Sequence, residues 1–154
     1  MNHADHAAQP SVTRMAVDAT RHCLTGCAIG EVVGLLISGA LGFTTEASVV
    51  AGIVLAFVFG YSFTFVPLLR AGMALGRAAS LTLAADTISI VVMEVVDNLV
   101  VLLVPGAMAA GLDAPLFWGS LILGLVVAFA AAFPVNRWLI ARGRGHALAH
   151  GAHA

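Results

Sequence analysis

The sequence predicts an all-α protein, a four-helix transmembrane bundle with both termini cytoplasmic. Three observations carry that prediction. First, four apolar stretches each reach the roughly 20 residues that a helix needs to cross a bilayer. Second, the 154-residue chain is 60% hydrophobic and only 10% charged, where a soluble domain carries about 25% charged residues. Third, its seven basic residues are segregated. All are arginines, and Arg14, Arg21, Arg70, Arg77, Arg137, Arg142 and Arg144 flank the N-terminal segment, the second connection or the C-terminal segment. The first and third connections hold Glu46 and Asp113 and no positive charge. Positive flanks stay cytoplasmic, so both termini are expected inside and the number of spans even. Continuous apolar runs exclude the alternating strands of a β-barrel. A net charge of −1 provides no basic field for nucleic acid.

The elements follow in order. Residues 1–20 form a polar cytoplasmic tail, and residues 21–141 the transmembrane domain. The tail length and Glu31 argue against a cleavable signal peptide. Span one, about 23–43, carries Gly26, Gly30 and Gly34 every four residues, with Ser38 and Gly42 continuing the row. Such a small-residue face lets another helix approach closely, within the chain or from another subunit. Span two, about 47–69, follows the Gly42–Glu46 break and contains Pro67 near its end. Span three, about 78–104, follows Arg70-Ala71-Gly72 and is the polar one. Span four, about 115–140, follows Pro105-Gly106 and contains Pro134, which is expected to kink it. Trp118 and Trp138 lie near its two ends, where amphipathic rings prefer the membrane interface. Residues 142–154 form a Gly/His-rich cytoplasmic tail. Gly143-Arg144-Gly145 has no strand before it and is no dinucleotide site.

Candidate chemistry lies in the ionisable residues within the spans, because each costs a few kcal/mol in hydrocarbon on insertion scales, about 2.5–3.5 for Asp. Glu31 belongs to span one, and Asp86, Glu94 and Asp97 to span three. No arginine lies mid-span to pair with them. Their partners are then protons, a bound cation, or donors such as Tyr61, Thr64 and Asn98. At 100° per residue Asp86, Met93, Glu94 and Asp97 share one arc of span three. Glu94 and Asp97, at i and i+3, cannot easily both ionise without a cation. Counted from the cytoplasmic end, Glu31 and Asp86 are expected at similar depths of roughly 12 Å, with Glu94 and Asp97 at roughly 25 Å. This spacing suggests a polar track across the bundle. The bland alternative is a hydrogen-bonded network that holds the helices in register.

At the start of span one, Cys23, Cys27 and Glu31 follow at i, i+4 and i+8, with His22 beside them. Two thiols one turn apart can share a soft or borderline metal, and an imidazole can add a nitrogen. They can equally be two small buried apolar residues. A disulfide is disfavoured at the reducing cytoplasmic end. The tails add His3, His6, His146, His150 and His153, and short His-rich tracts suggest metal binding or mere solvated ends.

Several motifs together resemble one family. They are His22-Cys23-Leu24-Thr25-Gly26-Cys27-Ala28-Ile29-Gly30-Glu31, Phe59-Gly60-Tyr61, Ala85-Asp86-Thr87-Ile88-Ser89-Ile90, Met93-Glu94-Val95-Val96-Asp97-Asn98, Pro134-Val135-Asn136-Arg137-Trp138-Leu139-Ile140 and Gly143-Arg144-Gly145-His146-Ala147. The chain resembles the domain-of-unknown-function 4396 family of small bacterial integral membrane proteins, from about Ala19 to Ala147. The resemblance implies a four-helix membrane protein and assigns no substrate or catalytic residue.

The sequence therefore points to a multi-pass protein of the bacterial cytoplasmic (inner) membrane, in contact with lipid and able to form a homo-oligomer or join a larger complex. Its expected role is to bind and move or sense a transition-metal cation such as copper, zinc or iron. His22, Cys23, Cys27, Glu31, Asp86, Glu94 and Asp97 are the candidate ligands, with Tyr61, Met93 and Asn98 in support. The alternative is an accessory subunit that packs on a larger membrane complex through the Gly26, Gly30 and Gly34 face. No nucleophile–base pair, nucleotide loop or haem-attachment motif marks it as an enzyme.

Overall fold

A computed structural model describes residues 11–142. Four α-helices follow one another: α1 (Val12–Leu41), α2 (Thr45–Arg70), α3 (Leu75–Leu103) and α4 (Pro115–Ala141), with a 3₁₀ turn at Ala107–Ala109 before α4. There is no strand among the described residues. Short connections force neighbours to run antiparallel. Around the bundle α1 packs against α2 and α4, and α3 against α2 and α4, so that α1 and α3 face each other across the centre. Helices α1, α2 and α4 are long and apolar enough to cross a membrane. Helix α3 matches them in length at 29 residues and carries the acids.

The ends of the helices follow from local chemistry. Ser11 caps α1 by accepting from the Arg14 N–H. Gly42, in the left-handed region at φ 69°, ends α1, and the N–H groups of Gly42 and Phe43 both return to the Ser38 carbonyl. That is the usual role of a glycine just past a helix. Thr44 caps α2 through its hydroxyl at 3.3 Å from the Ala47 nitrogen. Glu46 follows in the exposed first turn, where its own backbone N–H and the Thr44 hydroxyl hold its carboxyl below the usual range. Pro115 stands at the start of α4, where its missing N–H costs nothing. Both Pro67 and Pro134 sit inside helices that continue past them.

Helix α1 begins well before the expected span. Residues 12–20, read from sequence as polar tail, are helical, and Ala16, Ala19 and Thr20 are buried. Ala16 and Ala19 pack with Ile140, flanked by Met15 and Phe133, so the end of α4 supplies the contact that keeps this segment helical. Tertiary packing, not hydropathy, decides the boundary.

The interior is built from small side chains and the exterior from large ones. On α2 the buried positions are Gly52, Ala56, Gly60, Thr64 and Leu68, every four residues. On α4 the row Ser120, Gly124, Ala128, Ala132 and Asn136 repeats the pattern. Outward-facing positions include Val54, Val58, Leu83, Val95, Leu99, Ile122 and Val126. A water-soluble protein does not expose apolar surface on this scale. In lipid this is the expected arrangement, because close packing replaces the hydrophobic effect as the force between helices.

The glycine row of α1 is occupied by α2. A Cβ on Gly26 would stand 2.5 Å from the Gly60 Cα, one on Gly34 would stand 2.7 Å from the Gly52 Cα, and one on Gly30 would collide with the Ala56 backbone. This corrects the accessory-subunit reading, which used Gly26, Gly30 and Gly34 as an external interface. The face is buried within the chain and has no surface to offer.

Candidate functional site

The interior polar residues form two layers. One lies near the chain termini and is here called proximal. The other lies toward the α1–α2 and α3–α4 connections and is called distal.

The proximal layer is tied across helices. Asn136 of α4 donates through Nδ2 to the Thr20 Oγ1 of α1 and the Ser89 Oγ of α3, both at 2.9 Å. The Thr20 hydroxyl in turn donates to the Ala16 carbonyl at 2.7 Å. Asp86 is buried beside Cys23, and Ser89 flanks the same thiol. Tyr61 of α2 reaches Thr87 of α3 at 2.9 Å, and Thr87 donates its own proton to the Leu83 carbonyl. Tyr61 is therefore the donor to Thr87. It supports the α2–α3 seam and not the acids, as sequence had suggested.

The distal layer has a different character. Glu31, Glu94, Asp97 and Asn98 line a cavity of about 290 Å³ with Ser48 and Ser120, bounded distally by Phe43 and residues 107–111. Asp97 lies beside both Glu31 and Glu94. Glu94 is only 4% exposed, and neither of its carboxylate oxygens has a hydrogen-bond partner among the described residues; nor does Asp97 Oδ1. The Cys27 thiol lies beside Glu94 without meeting hydrogen-bond geometry. Nearby donors are engaged elsewhere. Asn98 Nδ2 donates to the Glu94 backbone carbonyl at 2.9 Å, not to its carboxylate, and Ser120 donates to the Phe117 carbonyl at 2.9 Å.

The expected depths need correction. Sequence paired Glu31 with Asp86, yet Glu31 lies with Asp97 and Glu94, while Asp86 lies with Cys23. The cause is the early start of α1. Glu31 stands 19 residues beyond Val12, so roughly 28 Å along its helix at 1.5 Å per residue.

The Cys/His entry is divided as well. Cys23 and Cys27 are buried in the core with Met93, Ile90, Ala56 and Ala128. His22 is on the exposed face, with Nδ1 3.0 Å from the Asp18 carbonyl and its ring edge toward Phe63. Met93, a supporting candidate, belongs to the core and not to the cavity lining. Among the described residues no three His, Cys, Asp or Glu side chains gather as a ligand set for a metal ion. His3, His6, His146, His150 and His153 lie outside the described residues.

Sequence reasoning missed two residues. Asn136 is the hub of the proximal layer. Gly124 makes room for Asp97, because a Cβ there would overlap the Asp97 Oδ1. The available signal was the four-residue row of small side chains on α4, the same pattern that singled out α1.

A family model for a domain of unknown function, DUF4396, matches residues 13–145. The chain belongs to the DUF4396 family. The match covers all four helices, so both polar layers lie inside the DUF4396 domain. No curated protein and no solved structure matches the chain. The DUF4396 chain is thus an apolar helical membrane protein whose chemistry is to be read from its own cavity.

Proposed function

We propose that this protein binds a cation in the distal cavity and moves or senses it at the bacterial cytoplasmic membrane, without enzymatic chemistry of its own. The observation that carries the reading is Glu94, whose two carboxylate oxygens are enclosed and without a hydrogen-bond partner at the wall of a cavity that it lines with Glu31 and Asp97. A purely structural acid in hydrocarbon is surrounded by donors. Here the amide of Asn98 and the hydroxyl of Ser120 donate to backbone carbonyls, and the donor left beside the carboxylate is the weak Cys27 thiol, out of hydrogen-bond geometry. The charge must be balanced by protons or by a bound cation. A volume of about 290 Å³ lies at the lower end of small-ligand pockets, about 300–1,000 Å³. It suits a hydrated ion or a small organic cation better than a bare ion in a tight cage. With the arginine-flanked ends in the cytoplasm, the cavity faces the opposite side of the membrane.

A transition-metal occupant draws support from Cys27, whose thiol stands next to Glu94. The oxygen-rich lining favours zinc, iron or manganese, and the thiols favour copper(I) or zinc. Elemental mass spectrometry on protein purified without affinity histidines tests this, beside a Cys23→Ser/Cys27→Ser variant. Stoichiometric metal that is lost in the variant supports a thiolate site.

The broader reading is tested in lipid nanodiscs by carbodiimide labelling of Glu94, followed by peptide mass spectrometry. Zinc, manganese, sodium and methylammonium are offered separately. Saturable protection by at least one of them, abolished in Asp97→Asn, is the expected result. Labelling that neither these four nor a longer alkylammonium slows sinks the proposal.

A further inference from the structure

The α2–α3 seam is closed at one end and open at the other. In its proximal half Tyr61 bonds to Thr87, and a Cβ on Gly60 would stand 2.7 Å from the Ile90 Cδ1, so the two helices touch. Distal to Phe57 they part. The space between them is a groove of about 410 Å³, walled by Val49, Ile53 and Phe57 of α2 and by Val91, Val95 and Leu102 of α3. Its polar lining residues are Glu94 and Asn98. Both also line the carboxylate cavity, as do Val49, Ile53 and Met108. Acid-lined and apolar spaces therefore meet at Glu94. Val91 and Val95 are exposed on the outer face of α3, so the groove opens sideways, toward the position of lipid chains.

We infer that the occupant is an amphipathic cation, with an ammonium head among Glu31, Glu94 and Asp97 and an alkyl or aryl tail in the α2–α3 groove. This rests on the cation-binding reading and names its substrate class. An inorganic ion has no use for an apolar groove that runs from its ligands to the bilayer. A neutral lipid has no use for three acids at the head of the groove. An amphipathic cation uses both, and its tail gives it a lateral route in from the membrane. The charge complementarity lies at Glu94, a lining residue of both spaces whose enclosed carboxylate oxygens have no hydrogen-bond partner.

The test uses the full chain in lipid nanodiscs and three probes: methylammonium, a decylammonium carrying a diazirine at its tail, and the matching diazirine alcohol. Decylammonium is expected to protect Glu94 from carbodiimide at least about tenfold more tightly than methylammonium, since several methylenes are buried. After irradiation its tail is expected to label Phe57, Val95 or Leu102, and this labelling is expected to be lost in Glu94→Gln and competed by excess methylammonium. A Val91→Trp variant, which fills the groove from an exposed position and spares the acids, should bring decylammonium down to the methylammonium level. Protection by methylammonium with equal or weaker protection by decylammonium overturns the inference and leaves the cation reading standing. Groove labelling that the alcohol matches marks a lipid-tail groove and also overturns it. Groove residues that stay unlabelled because a second copy covers them overturn it as well. Failure of methylammonium, decylammonium and every metal to protect Glu94 removes both readings.

Discussion

The proximal and distal halves of this bundle solve the problem of buried polarity in opposite ways. In the proximal half Asn136 joins α1, α3 and α4 through two hydroxyls, and Tyr61 joins α2 to α3. In the distal half Glu94 keeps two unpartnered oxygens beside a cavity, and the α2–α3 seam stands open. Interhelical hydrogen bonds in membranes average only about 0.6 kcal/mol each, but they specify register. Unpartnered acids do the reverse and cost stability. Under the proposed reading, the contrast separates structure from function within one small chain. The proximal layer ties three helices together, whereas the distal layer leaves carboxylate oxygens without a hydrogen-bond partner among the described residues.

That contrast can be broken. The largest effect is expected from Gly124→Ala, whose new Cβ takes the space of Asp97 Oδ1. Overpacking costs typically about 1–3 kcal/mol, and the displaced carboxylate should also abolish cation protection of Glu94. Unchanged stability and protection would show that the distal acids are not held by α4. Next comes Asn136→Ala, which removes the hydrogen bonds from Asn136 to Thr20 and Ser89. A loss of about 1–2 kcal/mol is expected in reversible denaturant unfolding, with labelling of Glu94 and its protection unchanged. Loss of protection in this variant would merge the two layers into one.

Glu94→Gln is expected to move stability the other way. Replacing an uncompensated buried acid by a neutral isostere should be neutral or stabilising by about 1 kcal/mol, while cation binding is lost. A marked destabilisation would assign Glu94 to the structural network. The smallest effect belongs to Glu46, at the exposed distal end of α2. Folding favours its ionised form, so its contribution is present above the ordinary carboxyl range and fades as pH falls through and below that range. Glu46→Gln should flatten the acid limb of the thermal midpoint slightly, as followed by circular dichroism from pH 7 to 3.

Much of the site was legible because charge in an apolar run is conspicuous. Glu31, Asp86, Glu94 and Asp97 stand out from composition alone, and all belong to the interior polar layers. Their grouping was not legible. It depended on where α1 begins, and residues 12–20 have a polar composition that hides a buried face against the end of α4. Shifting the start of α1 moves Glu31 from the Asp86 layer to the Asp97 layer. Gly124 and Asn136 escaped for a related reason. A glycine or an amide in an apolar helix has no local signature of what it faces.

By itself the sequence determined the all-α class, the helical connections, the exclusion of strands and the acids that need a partner. Those properties depend on continuous apolar length, on turn residues and on the cost of charge in hydrocarbon, which are local or compositional quantities. Only the tertiary structure decided that the α1 glycines belong to α2, that His22 faces away from the thiols, and that Glu31, Glu94 and Asp97 share one cavity. Those facts depend on which helix faces which, and at what axial offset. One residue of helix adds only about 1.5 Å of rise but turns the side chain by about 100°, so partners are set by packing and not by spacing along the chain.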